Sequence, residues 1–187
     1  MSISSSALLS ALAGFSPIPD KKIHSILSHV MLLKLSAFNS QTTRIIVCLK
    51  KEHEKVWDIT KEVLLNRIGA ERFQKIAPKL NGFQAAYGTI LLLSPFASYA
   101  EHFKAWSEHT SGMHQLMAWV ALEAEGFGAN LQHYNAIIDE KVAAAFNVPD
   151  TWKLCSQLVF GVPEGDAPAP KEKKPLKELM RFEGAEI

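Results

Sequence analysis

The chain has 187 residues, with 20 Lys plus Arg against 19 Asp plus Glu, a net charge of +1 and a sequence pI near 7.8. This balance provides no field that would attract nucleic acid or an anionic membrane, so we expect neither as a partner. Hydrophobic residues make up 48% of the chain, yet no apolar run approaches the roughly 18 residues of a membrane span, and the length fits one domain.

The N-terminal part is predicted to be two helices, a loop and a strand. Residues 1–14 are interpreted as a helix, since no Lys or Arg precedes their apolar part as a secretion signal would require. Pro17 and Pro19 stop this helix, and Asp20 can cap the next. Helical spacing predicts that the second helix buries Ile23, Ile26, Leu27, Val30 and Leu33. A polar loop over 35–43 and a β-branched strand over 44–49 follow.

The middle of the chain is predicted to alternate helices with a buried strand. An amphipathic helix runs from Lys51 to about Asn66, and a short helix lies around 71–80. Residues 87–94 are apolar enough for a central strand. A charged helix over 98–106 leads to the longest helix, which opens near Thr110 and ends at Glu125. Because that helix is apolar on nearly every face, we place it in a subunit interface rather than in the core of so small a domain.

The C-terminal part is predicted to end the domain with a helix and a strand. Residues 131–135 form a short polar interruption, Asp139 can start a helix, and 154–160 form the last strand. After Gly161 the composition changes to Pro, Glu, Lys and Gly, so 1–161 is predicted to be one domain and 162–187 an extended tail. The tail is either disordered or wraps a partner. Helices outnumber strands, which predicts an α+β fold.

The sequence offers no metal site and no acid, base or nucleophile that can be named. The 7 His form no pair with metal-ligand spacing, and the glycine motifs of serine hydrolases, P-loop proteins and dinucleotide-binding folds are absent from it. No motif in the sequence therefore supports a hydrolase or a phosphotransferase activity. Cys48 and Cys155 lie in apolar surroundings and need no disulfide, which predicts a reducing compartment, the cytoplasm or also the nucleus.

Two polar clusters interrupt the apolar pattern. The first holds Ser36, Asn39, Ser40 and Gln41, and the second holds Gln132, His133 and Asn135. One interpretation is that they cap helices and form turns. The other is that they supply neutral hydrogen-bonding groups to a flat heteroaromatic ligand such as a flavin.

Several motifs resemble the nitroreductase family in order along the chain, from about Ser16 to Lys177. They are Ser36-Ala-Phe-Asn-Ser-Gln41, Leu80-Asn-Gly-Phe83, Ala86-Tyr-Gly-Thr-Ile90, Trp106, Ser111-Gly-Met113, Trp119, Leu122-Glu-Ala124, Gly126-Phe-Gly-Ala-Asn-Leu-Gln-His-Tyr-Asn135, Trp152-Lys-Leu154 and Leu158-Val-Phe-Gly161. Within the family they are most similar to fungal and bacterial nitroreductase-like proteins linked to fatty-acid repression and oxidative stress.

The resemblance implies an α+β fold with a mixed central sheet flanked by helices, an intertwined homodimer, and FMN at the subunit interface. Ser36, Asn39 and Gln41 would reach the flavin from one subunit, and Gln132 and His133 would lie along it from the other. Lys171 and Arg181 in the tail would approach its phosphate. The implied activity is a ping-pong reduction of nitroaromatics, quinones or similar small molecules with NAD(P)H as cosubstrate.

One feature departs from the family pattern. Family members usually carry Arg-Arg-Ser/Thr before the first helix, and those positions fall here on Ser6-Ala7-Leu8. The missing arginines motivate an alternative hypothesis, a flavin-free or weakly flavinated regulatory or binding protein that senses a lipid or a redox metabolite.

Overall fold

A computed structural model describes residues 11–33, 35–95, 102–165 and 171–184. Along those ranges the chain forms β1 (Ala11–Ala13), α1 (Asp20–Leu32), a 3₁₀ turn (Ala37–Asn39), β2 (Arg44–Leu49), α2 (Lys51–Ile68), α3 (Ala70–Gln84), β3 (Gly88–Pro95), α4 (Lys104–Glu123), β4 (Gly128–Gln132), α5 (Asn135–Phe146), β5 (Trp152–Glu164) and α6 (Leu176–Leu179). The predicted α+β class is confirmed.

The sheet is organised around its longest described strand, β5. Strand β3 pairs with it so that Ile90 lies opposite Leu158, β4 pairs with it so that Gly128 lies opposite Gly161, and β1 pairs with its last residues. Strand β2 pairs with β3 and forms the edge. Each of these pairings is antiparallel.

The sheet therefore differs from the mixed sheet that the resemblance implied, as far as the described strands go. The connection between β2 and β3 shows one reason. Helices α2 and α3 follow each other with only Gly69 between them, and they pack together. Two successive helices bring the chain back to the end of the sheet where β2 stops, so β3 starts there and runs antiparallel to β2.

Two hydrophobic clusters cover the two faces of the sheet. Strand β3 serves both, because Leu91 and Leu93 belong to one cluster while Ile90 and Leu92 belong to the other. This alternation follows from the two-residue period of a strand. Helices α2, α3 and α5 cover the first face, and α1 and α4 cover the second. The result is a three-layer domain, and the prediction that β3 is a buried central strand is confirmed.

The N-terminal predictions are only partly confirmed. Residues 1–10 of the predicted first helix lie outside the described ranges, and Ala11–Ala13 form a strand instead. Asp20 is not the cap of α1 but its first residue, after Pro19; its carboxylate accepts from the Tyr87 hydroxyl and, at 3.1 Å, from Lys50 Nζ. Helix α1 does bury Ile23, Leu27 and Val30, while Leu33 is exposed.

Boundaries in the second half also differ from the predictions. Helix α4 is continuous from Lys104, without the predicted new start near Thr110, and residues 98–101 lie outside the described ranges. Strand β4 was not predicted, and α5 begins at Asn135 instead of Asp139. Strand β5 continues to Glu164, past the predicted domain end at Gly161, because Val162–Glu164 pair with β1.

In the four described ranges, no helix is long and apolar enough to cross a membrane. Of the predicted tail, 162–164 belong to β5, and 171–184 are exposed along their whole length and carry the short helix α6.

Candidate functional site

The loop between α1 and β2 holds three of the predicted site residues. The Asn39 N–H donates to Ser36 O at 2.9 Å and closes the 3₁₀ turn, and the Gln41 N–H donates to Ser36 Oγ at 3.0 Å. Ser36 therefore organises the loop with its hydroxyl. The side chains of Asn39 and Gln41 are exposed, so their amides are available to a ligand.

The backbone of this loop is in a costly conformation. Phe38, Asn39 and Gln41 have φ values of 52°, 53° and 49°. For residues other than glycine, this left-handed region costs about 1–3 kcal/mol each, and such residues cluster at functional sites. The folded chain thus holds Asn39 and Gln41 in a conformation that local preference does not favour, which supports a functional role for the loop.

Arg44, at the start of β2, holds the end of the loop. Its Nη1 donates to the carbonyl oxygen of Gln41 and, at 2.9 Å, to that of Thr43, and its guanidinium lies 5.5 Å from the ring centroid of Trp152. The sequence interpretation missed this residue and treated it only as part of a strand. The sequence signal that could have identified Arg44 is its position three residues after Gln41.

Three aromatic side chains pack beside the loop and are called the aromatic platform below: Phe38, Phe103 and Trp106. Phe103 and Trp106 stack with ring centroids 4.5 Å apart and an interplanar angle of 9°, and Phe38 lies 5.3 Å from Trp106. Phe38 is 78% exposed and Trp106 39%. The platform joins the loop to the first turn of α4 and keeps aromatic surface in solvent.

The second predicted cluster lies at the end of β4. Gln132 Nε2 donates back to Asn130 Oδ1 and, at 2.9 Å, to Leu131 O, so this amide is partly committed within its own strand. The Tyr134 N–H donates to the fully buried Gln157 Oε1 at 2.8 Å, which fixes the turn into α5. His133, between these two anchored residues, is exposed.

His133 lines a cleft of about 740 Å³ between α4 and the ends of β3 and β5. Two buried oxygens of cleft residues, Ser107 Oγ and Asn135 Oδ1, have no hydrogen-bond partner in the described parts of the chain. Cys155 also lines the cleft; it is the extra residue of a β-bulge, since Leu92 pairs with Ser156 and Leu93 with Leu154. Burial raises the pKa of the Cys155 thiol, so it is neutral at pH 7 and a poor nucleophile.

A single chain does not bring the two clusters together. The loop packs on α4 at Trp106, whereas the cleft is lined by Lys104, Glu108 and Ser111 of the same helix. With about 3.6 residues per turn, Trp106 points roughly opposite to those three residues. Within the chain, α4 therefore lies between the loop that carries Asn39 and Gln41 and the cleft that His133 lines.

Lys171 and Arg181 lie on the exposed tail. Arg181 Nε contacts Glu183 Oε1 at 2.6 Å. The serine and alanine that replace the expected arginine pair, Ser6 and Ala7, lie outside the described ranges. Among the described residues, no group of three or more His, Cys, Asp and Glu side chains is placed to hold a metal ion.

Comparison with known proteins matches this chain to one family model, described as the nitroreductase family, over residues 16–162. The nitroreductase FRM2 of Saccharomyces cerevisiae is 32% identical over 163 residues, which cover 81% of this chain and 79% of FRM2. HBN1 of the same yeast is 34% identical over 165 residues, covering 83% and 80%.

Solved structures share the fold. The nitroreductase CinD from Lactococcus lactis, in complex with 4-nitrophenol, superposes with a TM-score of 0.78 at 34% identity and covers 94% of this chain and 95% of its own. The FMN and NADPH-dependent nitroreductase NfnB from Sphigopyxis sp. strain HMH has a TM-score of 0.70 at 17% identity, covering 98% and 100%. At that identity NfnB is evidence of the fold alone.

Proposed function

This chain belongs to the nitroreductase family and is an oxidoreductase, and from that premise we propose that it binds FMN and uses NAD(P)H to reduce small electron-poor molecules such as nitroaromatics and quinones. The observation that carries the proposal is the strained loop over 36–41, which holds the exposed amides of Asn39 and Gln41 outward. CinD, which is 34% identical to this chain, was solved with 4-nitrophenol, and this supports the same reaction class here.

The side chains present suit FMN. A flavin needs neutral donors and acceptors along its pyrimidine edge and cations at its phosphate. The two clusters supply neutral amides and hydroxyls, and the exposed tail supplies cations. We assign the ring contacts to Ser36, Asn39, Gln41, Gln132 and His133, and the phosphate contacts to Lys171 and Arg181.

The chain's own contribution is positioning. FMN held by these residues would supply two-electron redox chemistry, in which a hydride from NAD(P)H would be passed on to an oxidant that replaces the nicotinamide in a ping-pong sequence. Ser36 and Arg44 hold the loop that presents Asn39 and Gln41, so the amides are oriented before a ligand arrives. We assign no side chain as an obligatory acid or base.

We propose that the working unit is a homodimer. Because α4 separates the two clusters within one chain, a ring that contacts both needs the loop from one protomer and His133 from its partner. Large apolar side chains are exposed on α1, the loop and α4: Leu32, Leu33, Leu35, Phe38, Met113, Leu116 and Met117. A contiguous exposed apolar patch marks an association site, and we propose that these side chains contribute to one. Light scattering should give twice 20.7 kDa at low micromolar concentration; a stable folded monomer there would contradict the proposal.

The enzyme hypothesis is tested by the visible spectrum of the purified protein. Bound FMN should absorb in the visible range and be released as free flavin on denaturation. With NAD(P)H and 4-nitrophenol varied together, double-reciprocal plots should give parallel lines, as a ping-pong sequence requires. If FMN-saturated protein does not oxidise NAD(P)H with any nitroaromatic or quinone, the proposal fails.

A second candidate is a flavin-free or weakly flavinated binding protein that senses a lipid or a redox metabolite. The observation that favours it is Ser6 and Ala7 in place of the family's two arginines. A colourless purified protein without saturable FMN binding would support it over the enzyme. In either case, Cys48 and Cys155 are unpaired, which favours a reducing compartment, the cytoplasm or the nucleus.

A further inference from the structure

We propose that the cleft between α4 and the ends of β3 and β5 selects, among the molecules to be reduced, those that carry a primary carboxamide, and that Ser107 and Asn135 recognise this group. The inference rests on the proposed function, which assigns His133, a residue of the cleft lining, to the flavin ring. It adds a class of substrate and two residues to that function.

Two buried oxygen atoms in the cleft need a partner. Ser107 is only 6% exposed, and neither its Oγ nor Asn135 Oδ1 has a hydrogen-bond partner in the described parts of the chain. Buried polar atoms are almost always hydrogen-bonded, because leaving them without a partner is unfavourable. Ser107 lies in the first turn of α4 and Asn135 is the first residue of α5, so the two atoms reach the cleft from different helices.

The charges of the cleft favour a neutral ligand. Lys104 Nζ lies 3.9 Å from Glu108 Oε1, and Lys153 Nζ lies 3.6 Å from Asp139 Oδ2. Each of these two lysines of the cleft therefore has a carboxylate beside it, and both positive charges are compensated. A carboxylate or phosphate ligand would have to compete with these acidic side chains, whereas a neutral group would not.

The two oxygen atoms define the chemistry of the group that they bind. Asn135 Oδ1 can only accept, so the ligand must donate an N–H or O–H to it, while the Ser107 hydroxyl can donate to a carbonyl oxygen. A primary carboxamide carries the donor and the acceptor on separate atoms of one planar group, which suits partners on two helices. Pro95 and Leu154 line the same cleft and offer apolar contacts to an aromatic ring, and the volume of about 740 Å³ fits a small molecule.

The test compares 4-nitrobenzamide with 4-nitroacetophenone, in which a methyl group replaces the amide nitrogen. Both probes are neutral nitroaromatics, and ligand-observed NMR titration of the FMN-loaded protein without reductant measures their affinities. The wild type should bind the amide about 3- to 10-fold more tightly than the ketone, the effect of one additional hydrogen bond in a buried site.

The variants separate the roles of the two residues. Asn135→Leu should remove the preference by weakening the amide alone, and Asn135→Asp, which keeps an acceptor, should retain it. Ser107→Ala should weaken both probes about 3- to 10-fold, because both carry the carbonyl that the hydroxyl serves. Ser156→Ala is the matched control and should bind both probes as the wild type does. Ser156 Oγ is also buried without a described partner, but Ser156 does not line the cleft.

Several results would overturn the inference. One is equal affinity of the wild type for both probes, and another is a preference that survives Asn135→Leu or is lost in Asn135→Asp. Wild-type affinities in both Ser107→Ala and Asn135→Leu would show that water alone serves the two oxygen atoms. A lower FMN content of these variants at constant FMN concentration would assign the cleft to the flavin.

Failure of the inference and failure of the proposed function are distinguishable. A protein that binds FMN and reduces both probes without preferring the amide keeps the proposed function and loses the carboxamide site. A protein that binds no FMN but prefers the amide, and loses this preference in Asn135→Leu, keeps the carboxamide site and loses the proposed function.

Discussion

At the scale of single residues, the buried network around His53 satisfies its hydrogen bonds when the imidazole is neutral. Nε2–H then donates to Gln84 O at 3.1 Å, and the Thr89 hydroxyl donates to Nδ1 at 2.9 Å. Trp57 Nε1–H donates to Thr89 Oγ1 at 3.0 Å, so the hydroxyl both donates and accepts. Burial lowers the pKa of His53, against the opposing effect of the Gln84 carbonyl.

This lowered pKa predicts a stability that falls in acid. A histidine whose folded pKa lies below the unfolded value of 6.5 contributes fully above pH 6.5, because the unfolded chain binds the extra proton below it. Stability should therefore fall from about pH 6.5 downwards, by at most about 1.4 kcal/mol per pH unit from this group. Urea unfolding of wild type and His53→Gln between pH 7.5 and 5.5 checks it. The variant should be less stable at pH 7.5 and less pH-dependent; an equal slope in both proteins would refute the assignment.

A second prediction at the scale of single residues concerns Arg44. Arg44→Gln removes the guanidinium that binds the carbonyls of Gln41 and Thr43, so the loop should lose its fixed conformation. A charged hydrogen bond contributes about 1.5–3 kcal/mol when buried, and partial exposure reduces this to about 1 kcal/mol, or roughly fivefold in FMN affinity. Flavin titration of the apoprotein measures the change, with Arg67→Gln on α2 as control. Wild-type affinity in Arg44→Gln would contradict a positioning role.

At the scale of elements, the sequence predicted the helices and strands that have a strong periodic pattern, but not the features that depend on contacts with other elements. The strand over 44–49, helix α2 and the buried strand β3 were all predicted, because their patterns are long and unambiguous. Strand β4 was missed because its sequence Gly-Ala-Asn-Leu-Gln has low strand propensity, and it forms through pairing with β5. The predicted helix start at Thr110 was wrong because the Thr110 hydroxyl donates to Trp106 O at 2.9 Å inside the helix instead of capping it.

One prediction at the scale of elements concerns the tail. Residues 171–184 expose Leu176, Leu179, Met180 and Phe182, which one protomer leaves uncovered. Because β5 continues to Glu164 and pairs there with β1, a clean deletion starts at Asp166. Removing 166–187 should leave the unfolding free energy of the domain nearly unchanged and weaken the dimer, FMN binding or both. Unchanged assembly by light scattering together with unchanged flavin content would exclude a wrapping tail.

At the scale of the whole molecule, the sequence predicted the family and the α+β class, but in the proposed homodimer the arrangement of the site depends on more than one chain. Ser36, Asn39 and Gln41 share one loop, as adjacency in sequence predicts. That loop and His133 lie on opposite sides of α4, and no sequence pattern encodes this relation. Periodicity describes each element alone, so the separation of the two clusters becomes visible only when the elements are placed in space.

If FMN binds as proposed, its phosphate needs other partners, since Ser6 and Ala7 stand at the positions where the family resemblance places two arginines. Losing one charged hydrogen bond of about 1.5–3 kcal/mol would weaken FMN binding roughly 10- to 150-fold. The exposed cations Lys171 and Arg181 can recover part of it from the tail, but exposed charges are strongly screened by salt. We therefore expect FMN to bind, more weakly and with a steeper salt dependence than in relatives that keep the arginines.

Lys171→Ala should lower the affinity for FMN further at low salt, and Ser6→Arg with Ala7→Arg should raise it and flatten the salt dependence. Titration of apoprotein with FMN from low to high salt measures all three effects; no saturable binding at any salt concentration would reject the flavin site and leave the binding-protein hypothesis.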